Sequence, residues 1–144
     1  MKLLFLLLIP FTLVADEIIT IEHATTREAL RQGLMMRDHL EPNHGMLFHY
    51  PRKEKHRVWM YNCLIPLSIA FLDENGVILE IHELEAHPGL SDREQFLKES
   101  VVSEHPAKFS LEMEAEWFQN HGVSIGDRIE WDFPSAKANV ILRK

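Results

Sequence analysis

The chain has 144 residues, 46% of them hydrophobic and 26% charged, with a formal charge of −7. That balance suits one ordinary globular domain with a buried core, and it argues against nucleic acid as a partner, because phosphate is held by clustered Lys and Arg. One Cys cannot form an intramolecular disulfide, so stability has to come from the core.

The first fifteen residues, "MKLLFLLLIPFTLVA", place Lys2 ahead of an apolar run from Leu3 to Val14, with small Ala15 before Asp16 and Glu17. A stable membrane-spanning helix needs roughly 20 apolar residues, and this run is shorter. The pattern is that of a secretory signal peptide, residues 1–15, cleaved after Ala15. On that reading residues 16–144 form a single β-rich domain that is exported, periplasmic or secreted, with no stable membrane span after cleavage. The alternative is an uncleaved N-terminal anchor. Loss of Lys2 takes the formal charge to −8.

Alternation in "EIITIEH" predicts a strand over about 17–22. Thr25 and Glu28 in "TTRE" have the spacing of a capping box, so a helix is expected to run from there to Gly33, which suits a C′ position. "GMLFHY" and "HRVWMY" read as strands, and the basic run "PRKEKHR" at 51–57 as a solvated loop. "LSIAFLD" and "VILEIHEL" flank "ENG", a strong hairpin signal. Residues 86–107 are polar and broken by two prolines, so a long loop with a helical turn or two is expected there. Strands in "KFSLEME", "RIEWDF" and "NVILR", with a short helix in "AEWFQNHG", complete the pattern. The expected fold class is mainly β, a single-domain sandwich or barrel with one or two short helices.

Four ordered segments, "RQGLMMRDHL", "GMLF", "VWMYNCLIPLSIAFLDENGVI" and "LEMEAEWFQNHGVSIGD", resemble the signatures of the domain of unknown function 192 family, also catalogued as uncharacterised protein family 0127. The resemblance covers roughly residues 17–132 and implies a compact, jelly-roll-like β-sandwich; it brings no established activity with it. Two departures stand out. Where the family commonly has Thr this chain has Cys63, so a thiol nucleophile is not a family trait. After Ala115 the family tends to have Gly, where this chain has Glu116.

Several candidate chemistries can be weighed from the residues. "HELEAH" mimics the H-E-x-x-H zinc motif, but His82 and His87 are five apart, which turns a helix by about 500° and points the two rings apart. Met35, Met36, Met46, Met60 and Met113 sit in apolar contexts that favour core packing, and the nine histidines are scattered, so neither a metal site nor a cofactor is implied. Cys63 reads as a buried thiol. Glu112 and Glu114 share a strand face and read as an exposed acidic surface. Asp127, after Gly126, reads as a turn former, and Arg37 as a structural cation able to pair with Asp127 or a buried carboxylate.

Asn62 is the polar group of interest. The simpler reading is that Asn62 ends the strand, its side chain bonding backbone before "LIP" bends the chain. Within the strand it would instead share a face with Val58 and Met60, giving a donor and an acceptor in an apolar wall, as small-molecule pockets are built. The expected ligand face therefore carries Met60 and Asn62, with Arg37 and Asp127 nearby. No catalytic residue is assigned. The favoured function is non-enzymatic binding of a small ligand or envelope component. The alternatives are a hydrolase using carboxylate or His residues and a periplasmic soft-metal carrier.

Overall fold

The computed structural model describes residues 17–98 and 100–143. The proposed signal segment, residues 1–15, lies outside them. No helix among the described residues is long and apolar enough to cross a membrane.

Strand β1 (Glu17–Ala24) leads into α1 (Arg27–Gln32) and returns through the long β2 (His44–Glu54). The short β3 (Arg57–Trp59) precedes the hairpin of β4 (Leu67–Leu72) and β5 (Ile78–Leu84). Then come α2 (Asp92–Lys98), β6 (Ser100–Val102), β7 (Ala107–Glu114), α3 (Trp117–Asn120), β8 (Arg128–Trp131) and β9 (Lys137–Ile141). Seven strands form one sheet in the order β5-β4-β7-β2-β1-β9-β8, while β3 and β6 form a separate antiparallel ribbon. Only β1 and β2 of the seven-stranded sheet pair in parallel, and their connection through α1 is the crossover that parallel neighbours require.

The sheet curls until its two end strands meet. Ile78 N–H donates to Asp127 O and Ile129 N–H to Gly76 O, both at 2.9 Å, joining the start of β5 to β8. A Cβ on Gly76 would lie 2.2 Å from the Ile129 carbonyl oxygen, so only glycine permits this contact. The mainly β expectation therefore holds, in the form of a half-barrel.

Both sheet faces are buried, and β4 shows it most plainly: all six residues of "LSIAFL" are buried, as an apolar run without alternation suggests. The concave face gathers Ile19, Ile21, Leu47, Leu111 and Val140 beneath Trp117 and Phe118 of α3. Trp117 stacks on His121 and donates its indole N–H to Asn43 Oδ1 at 2.9 Å. The outer face carries Met46, Phe48, Ile69 and Phe71, with Leu34, Val58 and Cys63 in the layer above.

Several local expectations change. Thr26, not Thr25, caps α1: its hydroxyl accepts from Ala29 N–H at 3.1 Å. Gly33 ends the helix at φ +49° and donates its N–H to Ala29 O, as its backbone freedom allows. The basic stretch 51–57 carries the end of β2 and the start of β3 in place of the expected loop, with Glu54 paired to Ala107 of β7 across an irregular register and Arg57 to Val102 of β6. Residues 86–107 hold α2 and β6. Met36 is 67% exposed, unlike buried Met46, Met60 and Met113.

Candidate functional site

On β7, Phe109, Leu111 and Met113 point to the concave core, so Ser110 and Glu112 point to the outer face. The register sets Glu112 between Met46 of β2 and Ile69 of β4, in the middle of the sheet. Above it lie α1, β3 and the turn holding Cys63. They leave an inner chamber of about 80 Å³ whose lining includes Leu30, Gly33, Phe48, Tyr50, Val58, Cys63 and Glu112. Arg31, Met35, Trp59 and Tyr61 line both this chamber and a wider outer groove of about 450 Å³, which Phe96 of α2 closes on its far side. Trp59 and Phe96 meet with ring centroids 5.5 Å apart.

Glu112 is the anomaly of the site. It is 5% exposed, its side chain makes no hydrogen bond among the described residues, and burial lifts its pKa from 4.5 to about 8. Glu80 shows the usual alternative. It is also buried, though less deeply, and burial would raise it, but His82 Nε2 at 2.8 Å and His105 N–H at 2.9 Å hold its carboxyl below the ordinary value. A buried carboxyl without such partners loses its hydration and gains nothing in return, so the neutral acid wins. At neutral pH Glu112 therefore presents an O–H donor to the chamber.

The neighbouring groups are neutral as well. Burial, reinforced by Glu112, pushes the Cys63 thiol up to about 12. Burial pushes the Tyr50 phenol up further, and its hydroxyl is engaged with Ser110 Oγ at 2.8 Å. Positive charge sits only around them: Arg31 of α1 and Arg57 of β3 line the chamber and have no carboxylate partner among the described residues. Arg37, Lys53 and Arg128 each do have one. Arg57 donates to Ser100 Oγ at 2.6 Å.

None of the four residues expected to form a ligand face lines the chamber. Asn62 lies in a turn, not on a strand, closed by Cys63 N–H to Met60 O at 3.1 Å. Its φ of +54° is one that Asn tolerates better than most residues, which is a local reason for Asn at this position. Its N–H donates to Gln95 Oε1 at 2.9 Å, and its C=O accepts from Met36 N–H at 2.8 Å. Asn62 thus ties α2 to the end of α1, the two sides of the outer groove. Met60 is buried in the layer beside Val58 and Cys63.

Arg37 pairs with Glu22, through both guanidinium nitrogens, and not with Asp127. It borders a separate hollow of about 270 Å³ with His39 and His44. Asp127 is a buried turn former, as expected: its carboxylate accepts from Ser124 N–H at 2.7 Å and Arg143 N–H at 2.6 Å. Glu112 is buried and only Glu114 is exposed, because the outer face of the sheet is covered along β7 as far as Glu112. Reasoning from the sequence missed that Arg31, Arg57 and Trp59 line the same chamber as Glu112. Alternation identified the face that Glu112 shares but carried no signal that another layer covers it.

A second polar cluster lies toward the concave side. His23 Nε2 donates to Ser135 O at 2.7 Å, since a carbonyl can only accept. In the neutral ring Nδ1 must then accept, so the 2.8 Å contact is His49 Nε2–H donating to His23 Nδ1. Phe109, Trp131 and Phe133 pack edge-on around His49. His82 lies on β5 and bonds Glu80, so "HELEAH" is no helical metal motif. No group of three or more His, Cys, Asp or Glu side chains placed to hold a metal occurs among the described residues.

These features define a small, mainly β domain with a half-barrel sheet and a lined chamber under its first helix. The chain belongs to the domain of unknown function 192 family (DUF192, described as uncharacterized ACR), whose profile matches residues 12–131. Among solved structures it is similar to a candidate transcription regulator from Sinorhizobium meliloti 1021, with 35% identity and a TM-score of 0.68 over 78% of this chain and 81% of that one. It is also similar to a protein of unknown function from Novosphingobium aromaticivorans DSM 12444, with 27% identity and a TM-score of 0.66 over 77% and 74% of the two chains. No curated protein matches it.

Proposed function

We propose that this domain is a non-enzymatic binding module that takes a small organic molecule into the chamber between α1, β3 and the outer face of the sheet. The observation that carries the reading is Glu112, 5% exposed and on the chamber lining, with no protein hydrogen-bond partner among the described residues to offset its burial. Leaving a buried polar group without a partner costs about 1–3 kcal/mol, and a ligand acceptor at that point recovers the lost hydrogen bond. The pairing of an apolar lining with one polar group follows the general design of small-molecule sites. Binding is favoured over catalysis because Glu112, Cys63 and Tyr50 are all protonated at neutral pH, leaving no base or nucleophile in the chamber.

The likeness to a candidate transcription regulator adds no nucleic-acid reading, given a formal charge of −7. Residues 1–15 support export of the domain to the periplasm or medium; the mature N-terminus of the exported protein, read by sequencing, is expected at Asp16.

A thermal-shift screen of small organic compounds, run in parallel on wild type and Glu112→Leu, tests the binding reading. Native-state ligands raise the wild-type midpoint. Shifts are expected in wild type and not in the variant. If no compound distinguishes the two proteins, the chamber is not the site.

A further inference from the structure

We infer that the molecule taken up is headed by a carboxylate, which enters the inner chamber to accept the Glu112 O–H between Arg31 and Arg57, while an apolar or aromatic body lies along Trp59, Tyr61 and Phe96. This rests on the reading of the chamber as a ligand site and names the chemistry it selects. Size argues first. The inner chamber, about 80 Å³, is several times what one water needs but about half of a ~150 Å³ cavity that takes benzene. It therefore admits a group of three or four atoms and not a ring. The outer groove, about 450 Å³ and walled by aromatic side chains, has room for the rest of a small molecule.

Charge argues next. The chain is acidic overall, yet the two guanidiniums on the chamber lining are unmatched by carboxylates. Glu28, one turn before Arg31, borders the outer groove only and leaves the inner chamber with two cations. An ammonium head would meet both of them. A purely apolar head would leave the Glu112 O–H unsatisfied. A carboxylate answers all three groups, because an O–H donor and two guanidiniums each bond best to an anionic oxygen.

Isothermal titration with 3-phenylpropionate, 3-phenylpropanamide and 3-phenylpropylamine, which share one body and differ in the head, tests the inference. The carboxylate is expected to bind at least about tenfold more tightly than the amide, with the amine weaker still. Arg31→Gln and Arg57→Gln lie on exposed positions and leave the core intact; each is expected to weaken the carboxylate several-fold and the amide little. Binding of the carboxylate to wild type is expected to decline as pH rises past the value at which Glu112 ionises. The Glu112→Gln protein, whose amide still donates, loses that decline.

Equal or tighter binding of the amide, lost in Glu112→Leu, overturns the carboxylate head while leaving the chamber as a site. Binding of none of the three, or binding indifferent to Glu112→Leu, overturns both.

Discussion

Glu116 opens α3 at φ +63°, ψ +7°, a left-handed conformation that costs a non-glycine residue about 1–2 kcal/mol. Its side chain is exposed, while its N–H is held by Glu83 Oε2 at 2.9 Å. The Gly that the family resemblance implies at this position would suit the backbone, because what is needed there is a positive φ. Glu116→Gly removes the strain but adds about 0.5–1 kcal/mol of chain entropy to the unfolded state. A net gain of about 0.5–1 kcal/mol is expected in urea unfolding. A loss of stability would mean that the Glu116 side chain makes a contribution its exposure does not reveal. Met36, Asn43 and Asn62 also have positive φ, and two of the three are Asn, the residue that tolerates it best after Gly.

The β4–β5 hairpin does more than reverse the chain. Asp73 Oδ1 accepts from Asn75 N–H at 2.8 Å and Val77 N–H at 2.9 Å, which shapes the turn from within. Gly76, at φ +77°, then offers its carbonyl to Ile129 N–H, so this one turn also joins the ends of the curled sheet. "ENG" predicts the turn, but it carries no hint that β8, beginning at Arg128, arrives against it. Gly76→Ala would set a methyl against the Ile129 carbonyl and force a disfavoured φ, at an expected cost of about 3 kcal/mol. Hydrogen exchange checks the location of the damage: protection should fall first at Ile78 and Ile129, the amides that bridge the closure. Uniform loss across the sheet would instead mean that the closure and the rest of the sheet open together.

Across the whole molecule, a buried and a half-buried group oppose each other in pH. Glu112 titrates near 8 in the fold against 4.5 ordinarily, so between those values the folded chain keeps a proton the unfolded chain has released, and stability falls as pH rises. His49 is depressed from 6.5 to about 4 by burial first, then by His23 and Lys108. Across that window the unfolded chain holds the extra proton, and stability rises with pH. From about pH 4.5 to 6.5 the two trends offset each other; above 6.5 the Glu112 trend is unopposed, by at most about 1.4 kcal/mol per unit, and exposed His39, raised by Asp38, acts in the same direction. The wild-type melting midpoint is therefore expected to be nearly level to about pH 6.5 and then to fall toward pH 8. Glu112→Gln should instead climb to about pH 6.5 and level off above it. Matching profiles for the two proteins would mean that Glu112 is solvated or partnered in solution.

Whatever depends on neighbours along the chain could be determined from the sequence alone. Most of the strands, the position of α1 to within one residue of its cap, the unalternating run of β4 and the turn roles of Asp127 and Gly33 follow from local period and backbone preference, and the four ordered motifs point to the family; β6 and the basic end of β2 do not. The tertiary structure decided the rest. Alternation put Glu112 and Glu114 on one face, but only the packing of α1, β3 and the Cys63 turn buried the first and left the second in water. It also gave Arg37 to Glu22 in place of Asp127, and moved Asn62 from a supposed pocket wall to the turn that braces α1 against α2. The physical reason is the same each time. A strand's period says which side chains point together, whereas the charge state and partners of a side chain depend on what folds over it from distant parts of the chain.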